Sequence, residues 1–228
     1  MKESRIVNVL SEFDALLEAE QNQLKVLSPQ EIRKHRDEMM LAVGSQTGQF
    51  LNMLLKTQSG KRILEIGTSV GYSTIWLAEA ARVNGGHLTT LECVVTKQAQ
   101  AVKNIRRAGL EDFVDFQLGD AIQLIENLPG AWDFILLDIW KDAYIPCFDR
   151  FYEKLAPGAI VVADNITSPP DFRAIMKDYQ EYVRSKPDLE SIQIDIGQGL
   201  ELTRKAIYRE DRELWQRVDQ ASEERANQ

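Results

Sequence analysis

The chain has 228 residues, 44% of them hydrophobic and 27% charged, and carries a formal net charge of -8 at pH 7. That length accommodates one sizeable α/β domain and would cramp two, and the acidic balance argues against a large nucleic-acid surface. No apolar run approaches the roughly 20 residues that cross a membrane, so no membrane association is expected. The first residues, Met1 to Arg5, lead into charged amphipathic sequence without a secretory apolar core, and the protein is expected to be cytoplasmic. Cys93 and Cys147 lie in no metal-binding or redox spacing and are expected to be buried thiols.

The first part reads as helical. Ile6, Val9, Phe13, Leu16 and Leu17 recur at helix spacing and predict an amphipathic helix over residues 4 to about 20. Ser28, Pro29 and Glu31 supply a cap, a first-turn proline and a reciprocal acid, and predict a second helix running to about Met40. Met39 and Met40, near its end, read as core filler or as a substrate wall. Gly44 to Gly48 breaks the pattern, and a third helix follows with Phe50, Leu51, Leu54 and Leu55 facing inward.

From Lys61 the texture changes to alternating strands and helices. Strands are predicted near residues 62–66, 87–92, 113–117, 133–138 and 159–163, with helices over about 71–83, 95–108, 121–127 and 144–155. Apolar strands separated by amphipathic helices imply a parallel sheet with right-handed crossovers. A helix over about 171–184 follows. The run Ser191 to Ile196, the turn Gly197 to Gly199 and the run Leu202 to Tyr208 then form a hairpin that gives the sheet an antiparallel edge. The expected organisation is a single domain made of a helical part over 1–58, an α/β core over 59–209 and a charged tail over 210–228. The first helix and the tail are candidate surfaces for a homodimer.

The chemistry is expected just beyond the carboxyl ends of the parallel strands. Those ends are acidic: Glu65, Glu92, Asp120, Asp138 and the pair Asp164-Asn165. Asp120 also suits a helix cap, yet capping does not explain so many acids on one edge. The first strand passes into its helix through Gly67 and Gly71, with Glu65 two residues ahead of Gly67. This spacing is not the one that cradles a pyrophosphate. A carboxylate there repels phosphate and welcomes an ammonium group, which favours S-adenosylmethionine over NAD.

Glu92 is placed like the acid that grips a ribose diol in dinucleotide-binding folds. Asp138, Asp164 and Asn165 offer only oxygen ligands, which suit magnesium, manganese or calcium. Lys141, at the mouth of the same crevice, would have its pKa lowered beside a divalent cation and could serve as general base. Trp140 reads equally as a flat face for a planar group or as core. His35 and His87 are isolated, and there is neither a nucleophile elbow nor a Cys/His pairing.

Three stretches together resemble the cation-dependent O-methyltransferases, the family of the catechol and caffeoyl-CoA enzymes. They are Glu65 to Ser73 (EIGTSVGYS), Leu137 to Tyr144 (LDIWKDAY) and Ala163 to Asn165 (ADN). The resemblance runs from about Ala42 to Tyr208, and the closing Lys205 to Tyr208 leans toward the catechol branch. It implies a Rossmann-like class I methyltransferase fold with a mostly parallel seven-stranded sheet. It implies S-adenosylmethionine held by Val43, Glu65, Gly67, Ser73, Glu92, Ala121, Asp138 and Trp140. It further implies magnesium on Asp138, Asp164 and Asn165, Lys141 as the base, and a small vicinal-dihydroxy aromatic as methyl acceptor.

Some positions depart from that pattern. Ile139 stands where a histidine is common, Met39 where an aromatic wall would hold a ring, and Glu201 is only a loose match for an acid that receives the second hydroxyl. Two other functions stay in view: methylation of a hydroxylated uridine in tRNA, and a non-catalytic cofactor-binding role.

Overall fold

A computed structural model describes residues 2–24, 26–35, 37–167 and 172–207. The chain begins with three helices, α1 (Lys2–Leu24), α2 (Pro29–His35) and α3 (Ser45–Gln58). The α/β part follows as β1 (Arg62–Ile66), α4 (Tyr72–Asn84), β2 (His87–Glu92), α5 (Val95–Ala108) and β3 (Val114–Leu118). It continues through α6 (Ala121–Asn127), β4 (Trp132–Leu137), α7 (Tyr144–Phe151), β5 (Leu155–Ala163) and α8 (Arg173–Arg184) to the hairpin β6 (Leu189–Ile194) and β7 (Leu200–Lys205).

The seven strands form one sheet in the order β3-β2-β1-β4-β5-β7-β6. The first five in that order are parallel, β7 runs antiparallel to β5, and β6 pairs antiparallel with β7. This is the Rossmann-like methyltransferase architecture that the motifs imply, antiparallel edge included. The order reverses between β1 and β4, so their carboxyl ends open the crevice in which such sheets bind ligands.

Alternation along the strands supplies two cores. Ile63, Phe134, Leu136 and Val162 point to the face covered by α1, α3, α4 and α5. Leu64, Ile66, Ile135, Leu137, Val161 and Ala163 point to the face covered by α6, α7 and α8. Strands buried on both faces need nearly continuous apolar sequence, which is what these runs show. Among the described residues no helix is long and apolar enough to cross a membrane.

The amino-terminal helices join the first core. Phe13 meets Tyr72 edge to face at 5.6 Å, the Tyr72 hydroxyl donates to Asp14 at 2.7 Å, and Arg107 pairs with Glu12 at 2.6 Å. At the start of α2 the reciprocal cap forms as expected: Ser28 donates its N–H to Glu31 Oε2 at 2.8 Å, and Glu31 donates its N–H to Ser28 Oγ at 3.3 Å.

Several boundaries differ from expectation. The second helix ends at His35, short of Met40, and the Met40 and Leu41 amides point to Glu20 of α1, at 2.6 and 2.9 Å. Leu41 takes a left-handed backbone, φ 49°, which ends helical geometry. Helix α7 stops at Phe151 and a 3₁₀ turn, Tyr152–Lys154, feeds a strand that starts at Leu155, earlier than the sequence suggests. Cys147 is buried as expected, but Cys93 is exposed, because it sits one residue beyond the carboxyl end of β2. The charged tail and Tyr208, together with Asp171 at the expected start of α8, lie outside the described residues.

Candidate active site

The turn from β1 into α4 builds one wall of the crevice. Glu65, next to last in β1, is fully buried. Thr74 of α4 and Thr90 of β2 each donate a hydroxyl to its Oε2 at 2.6 Å, and Thr90 is itself 2.5 Å from the Thr68 hydroxyl. Its other oxygen, Oε1, is buried without a hydrogen-bond partner among the described residues. Burial pushes the Glu65 carboxyl up to about 7, against the hydroxyls of Ser73, Thr74 and Thr90 that favour the charged form. A buried carboxylate oxygen left unpaired is costly, and an ammonium group of a ligand would satisfy it.

Gly67 explains how the turn lies so close to the end of β4. Its φ is 108°, and a Cβ there would stand 2.0 Å from the Asp138 carbonyl oxygen. Gly71 caps α4 at φ 93°, and Ser73, which touches Glu65, is buried two residues after the cap. Val43, also buried, precedes Gly44 at the entrance to α3.

Glu92 ends β2, and three backbone amides fix its carboxylate. Ser69 donates to Oε2 at 2.8 Å, and Cys93 and Val94 each donate to Oε1 at 2.9 Å. Oε1 has both lone pairs occupied, while Oε2 retains one that can accept a hydroxyl of a diol. Asp120 caps α6 by accepting the Gln123 N–H at 3.1 Å, and Ala121 begins that helix half-buried. Trp140 is half-buried, its ring tilted against Phe172 at 6.2 Å.

The acidic pair comes from neighbouring strands. Leu137 of β4 pairs with Ala163 of β5, so Asp138 and Asp164, each the next residue, leave the sheet side by side. Asp164 is buried and its Oδ1 has no hydrogen-bond partner among the described residues. Burial, reinforced by the Asp138 charge, raises the Asp164 carboxyl to about 8, and burial raises Asp138 as well. Two crowded carboxylates with an unpaired oxygen and the Asn165 amide oxygen make an oxygen-only donor set suited to a hard divalent cation. Among the described residues no group of three His, Cys, Asp or Glu forms a metal cluster.

Lys141 opens a 3₁₀ turn, Lys141–Ala143, just beyond β4 and is 6% exposed. Its Nζ donates to Asn165 Oδ1 and Tyr144 Oη, both at 2.6 Å, and to the Ile139 carbonyl at 3.1 Å, with Asp138 Oδ1 at 3.8 Å. Burial lowers its pKa, against the Asp138 and Asp164 charges that raise it. Tyr144 donates in turn to the Asp164 carbonyl at 3.0 Å, so its hydroxyl is turned to receive the lysine.

The structure thus brings together Asp138, Lys141, Asp164 and Asn165, and places Glu65, Gly67, Ser73 and Glu92 along the adjoining wall. Met39 is buried, as core filler would be, and lines a hollow of about 410 Å³ with Glu20, Leu27 and His35, between α1 and α2. A larger hollow, about 480 Å³, lies at the amino ends of the strands beside Lys61 and Asp133, away from the acids. Glu201 is a buried structural acid. It accepts from Arg184 Nε at 2.8 Å, Gln180 at 2.7 Å and Ser191 at 2.6 Å.

Sequence reasoning missed the roles of Thr74, Thr90 and Tyr144. For Tyr144 a signal existed: it lies three residues after Lys141, on the same side of a helical turn.

An O-methyltransferase family model matches residues 15–206. The catechol O-methyltransferase of Niastella koreensis is 42% identical over 130 residues, which cover 55% of this chain and 58% of that protein's length. The caffeoyl-CoA O-methyltransferase 1 of Eucalyptus globulus is 28% identical over 186 residues, covering 73% of this chain and 75% of that one. The solved structure of an O-methyltransferase from Bacillus cereus in complex with SAH is similar at a TM-score of 0.64 and 27% identity, over 86% of this chain and 99% of that one. With its sheet order, its acidic strand ends and this match over most of its length, the chain belongs to the O-methyltransferase family, in the group that holds the catechol and caffeoyl-CoA enzymes.

Proposed function

We propose that the protein transfers the methyl group of S-adenosylmethionine to a hydroxyl of a small vicinal-dihydroxy aromatic, with a divalent cation such as magnesium in the site. The observation that carries the proposal is Lys141 buried against an oxygen-only donor set, 2.6 Å from Asn165 and 3.8 Å from Asp138. The bound state of the Bacillus cereus relative and the phenolic acceptors in the names of the relatives support it.

In this reading Glu65 Oε1 takes the ammonium of the methionine end, and Glu92 takes the ribose diol. Val43, Gly67 and Ser73 line the same wall, while Ala121 and Trp140 lie toward the adenine. Asp138, Asp164 and Asn165 hold the cation, and Asp138 also borders the cofactor. When bound, the two groups supply an electrophilic methyl and positive charge that stabilises a phenolate. Lys141 accepts the proton of the reacting hydroxyl, and the crevice orients that oxygen for in-line transfer. Tyr144 and the Ile139 carbonyl hold the amine in place.

The test is transfer of labelled methyl from S-adenosylmethionine to a panel of catechols, with and without EDTA. Transfer that chelation abolishes and magnesium restores is expected. Full activity after thorough chelation overturns the cation, and no transfer to any diol overturns the acceptor class.

A further inference from the structure

Glu20 stands near the carboxyl end of α1, where the helix dipole disfavours a negative charge. A residue against local preference has its reason elsewhere, and here the reason is long-range. Oε1 accepts the Met40 N–H at 2.6 Å and Oε2 accepts the Leu41 N–H at 2.9 Å, so one carboxylate clamps two consecutive amides. Residues 40–44 lie in no helix or strand, so their backbone has no ladder of its own to hold it. Leu41 has φ 49°, a conformation uncommon for a branched side chain and one that needs support from its surroundings.

The connection continues into the crevice. The Met40 carbonyl accepts from Ser69 Oγ at 2.7 Å, and the Ser69 N–H donates to Glu92 Oε2 at 2.8 Å. Ser69 is also left-handed, at φ 46°. Each link joins residues at least 20 positions apart, so no local folding preference creates it. Lys97, half-buried in the first turn of α5, feels the charges of Glu92, Asp37 and Glu20 together, which places these acids on one flank of the crevice.

We propose that Glu20 is a positioning residue for cofactor binding. By clamping Met40 and Leu41 it fixes the segment that leads to Val43 and, through Ser69, the carboxylate of Glu92. The helix ahead of the α/β core is thereby part of the binding apparatus. This rests on the cofactor assignment proposed above and extends it to a residue outside the crevice.

The test compares wild type with E20Q, S69A and the double variant, using S-adenosylhomocysteine in isothermal titration and the Tm of the unliganded protein. A glutamine offers one acceptor oxygen for two amides, so E20Q should weaken binding about tenfold with little change in Tm. S69A breaks the next link and should act similarly. The double variant should be no weaker than the weaker single, because both cut one line. In turnover, KM for S-adenosylmethionine should rise while kcat at saturation holds.

Binding by E20Q or S69A within about twofold of wild type, additive losses in the double variant, or losses that track a fall in Tm overturn the positioning role. S69A leaves the clamp on α1 intact and tests the line even if E20Q folds poorly. Failure of wild type to bind S-adenosylhomocysteine instead sinks the cofactor assignment, and the positioning role with it.

Discussion

Lys141 donates to Asn165 Oδ1 across 2.6 Å, a bond that ties the loop beyond β4 to the loop beyond β5. The amine is held by Asn165, Tyr144 and the Ile139 carbonyl, and burial lowers its pKa toward the neutral form, whose lone pair can take a proton. Lys141→Ala should therefore lower kcat by about 10²–10⁴-fold, the usual contribution of a positioned base. Affinity for S-adenosylhomocysteine should be unchanged. Steady-state kinetics with a catechol decides it, since a change confined to KM would contradict a base.

Glu65 sets a pH dependence on the unliganded protein. Burial raises its pKa from 4.5 to about 7 in the folded state, so the native chain holds this proton over a range in which the unfolded chain has released it. Stability from this group is full below the unfolded value and falls as pH rises through about 7. Tm should decline between about pH 5 and pH 8, and Glu65→Gln should flatten part of that decline, by an amount on the order of a few kcal/mol. Asp164, raised to about 8, contributes in the same direction, so the difference between wild type and Glu65→Gln is the quantity to measure. Equal slopes for the two proteins would refute the assignment.

Gly67→Ala tests the closeness of the crevice walls. The added Cβ meets the Asp138 carbonyl oxygen at 2.0 Å on a backbone with φ 108°, and neither a flexible side chain nor another rotamer can relieve the clash. A loss of roughly 3 kcal/mol or more in urea unfolding is expected, together with weakened S-adenosylhomocysteine binding. Wild-type behaviour in both would mean the turn can move away from β4.

Arg184 and Glu201 offer a contrast to the active-site acids. Glu201 is fully buried and Arg184 is about half exposed. Removing the arginine leaves a buried acid that, among the described residues, keeps hydrogen bonds from Gln180 and Ser191. Arg184→Ala should destabilise by about 2–4 kcal/mol while activity per folded molecule stays near wild type. A selective loss of acceptor affinity would instead make Glu201 a substrate contact.

Much of this was legible in the sequence for local reasons. Strands β1 and β2 and helices α5 and α6 fall at their expected bounds, because apolar runs and glycine turns state them directly. The reciprocal cap at Ser28 and Glu31 was equally plain. The acids at the strand ends could be found because the topology of a parallel sheet collects them at one edge. What escaped depends on distant contacts. The path of the chain at Met40 is tied to Glu20, twenty residues before it, and no window of periodicity sees that bond. The burial of Glu201 depends on Arg184 and Ser191 from two other elements. Cys93 went astray because side-chain type alone does not say which way a residue beyond a strand end turns.

The one-sided solvation of Glu65 has a thermodynamic consequence. Thr74 and Thr90 both serve Oε2 while Oε1 has no hydrogen-bond partner among the described residues, and burial pushes the carboxyl up to about 7. Near neutrality, then, uptake of an ammonium-bearing ligand is an exchange of a proton for a cation at that oxygen. The proton passes to the medium, so the heat of binding must vary with the ionisation enthalpy of the buffer. An analogue without the amine would leave that proton in place and show no such variation. On the proposed assignment of Glu65, the crevice would recognise an amino-acid end by its charge.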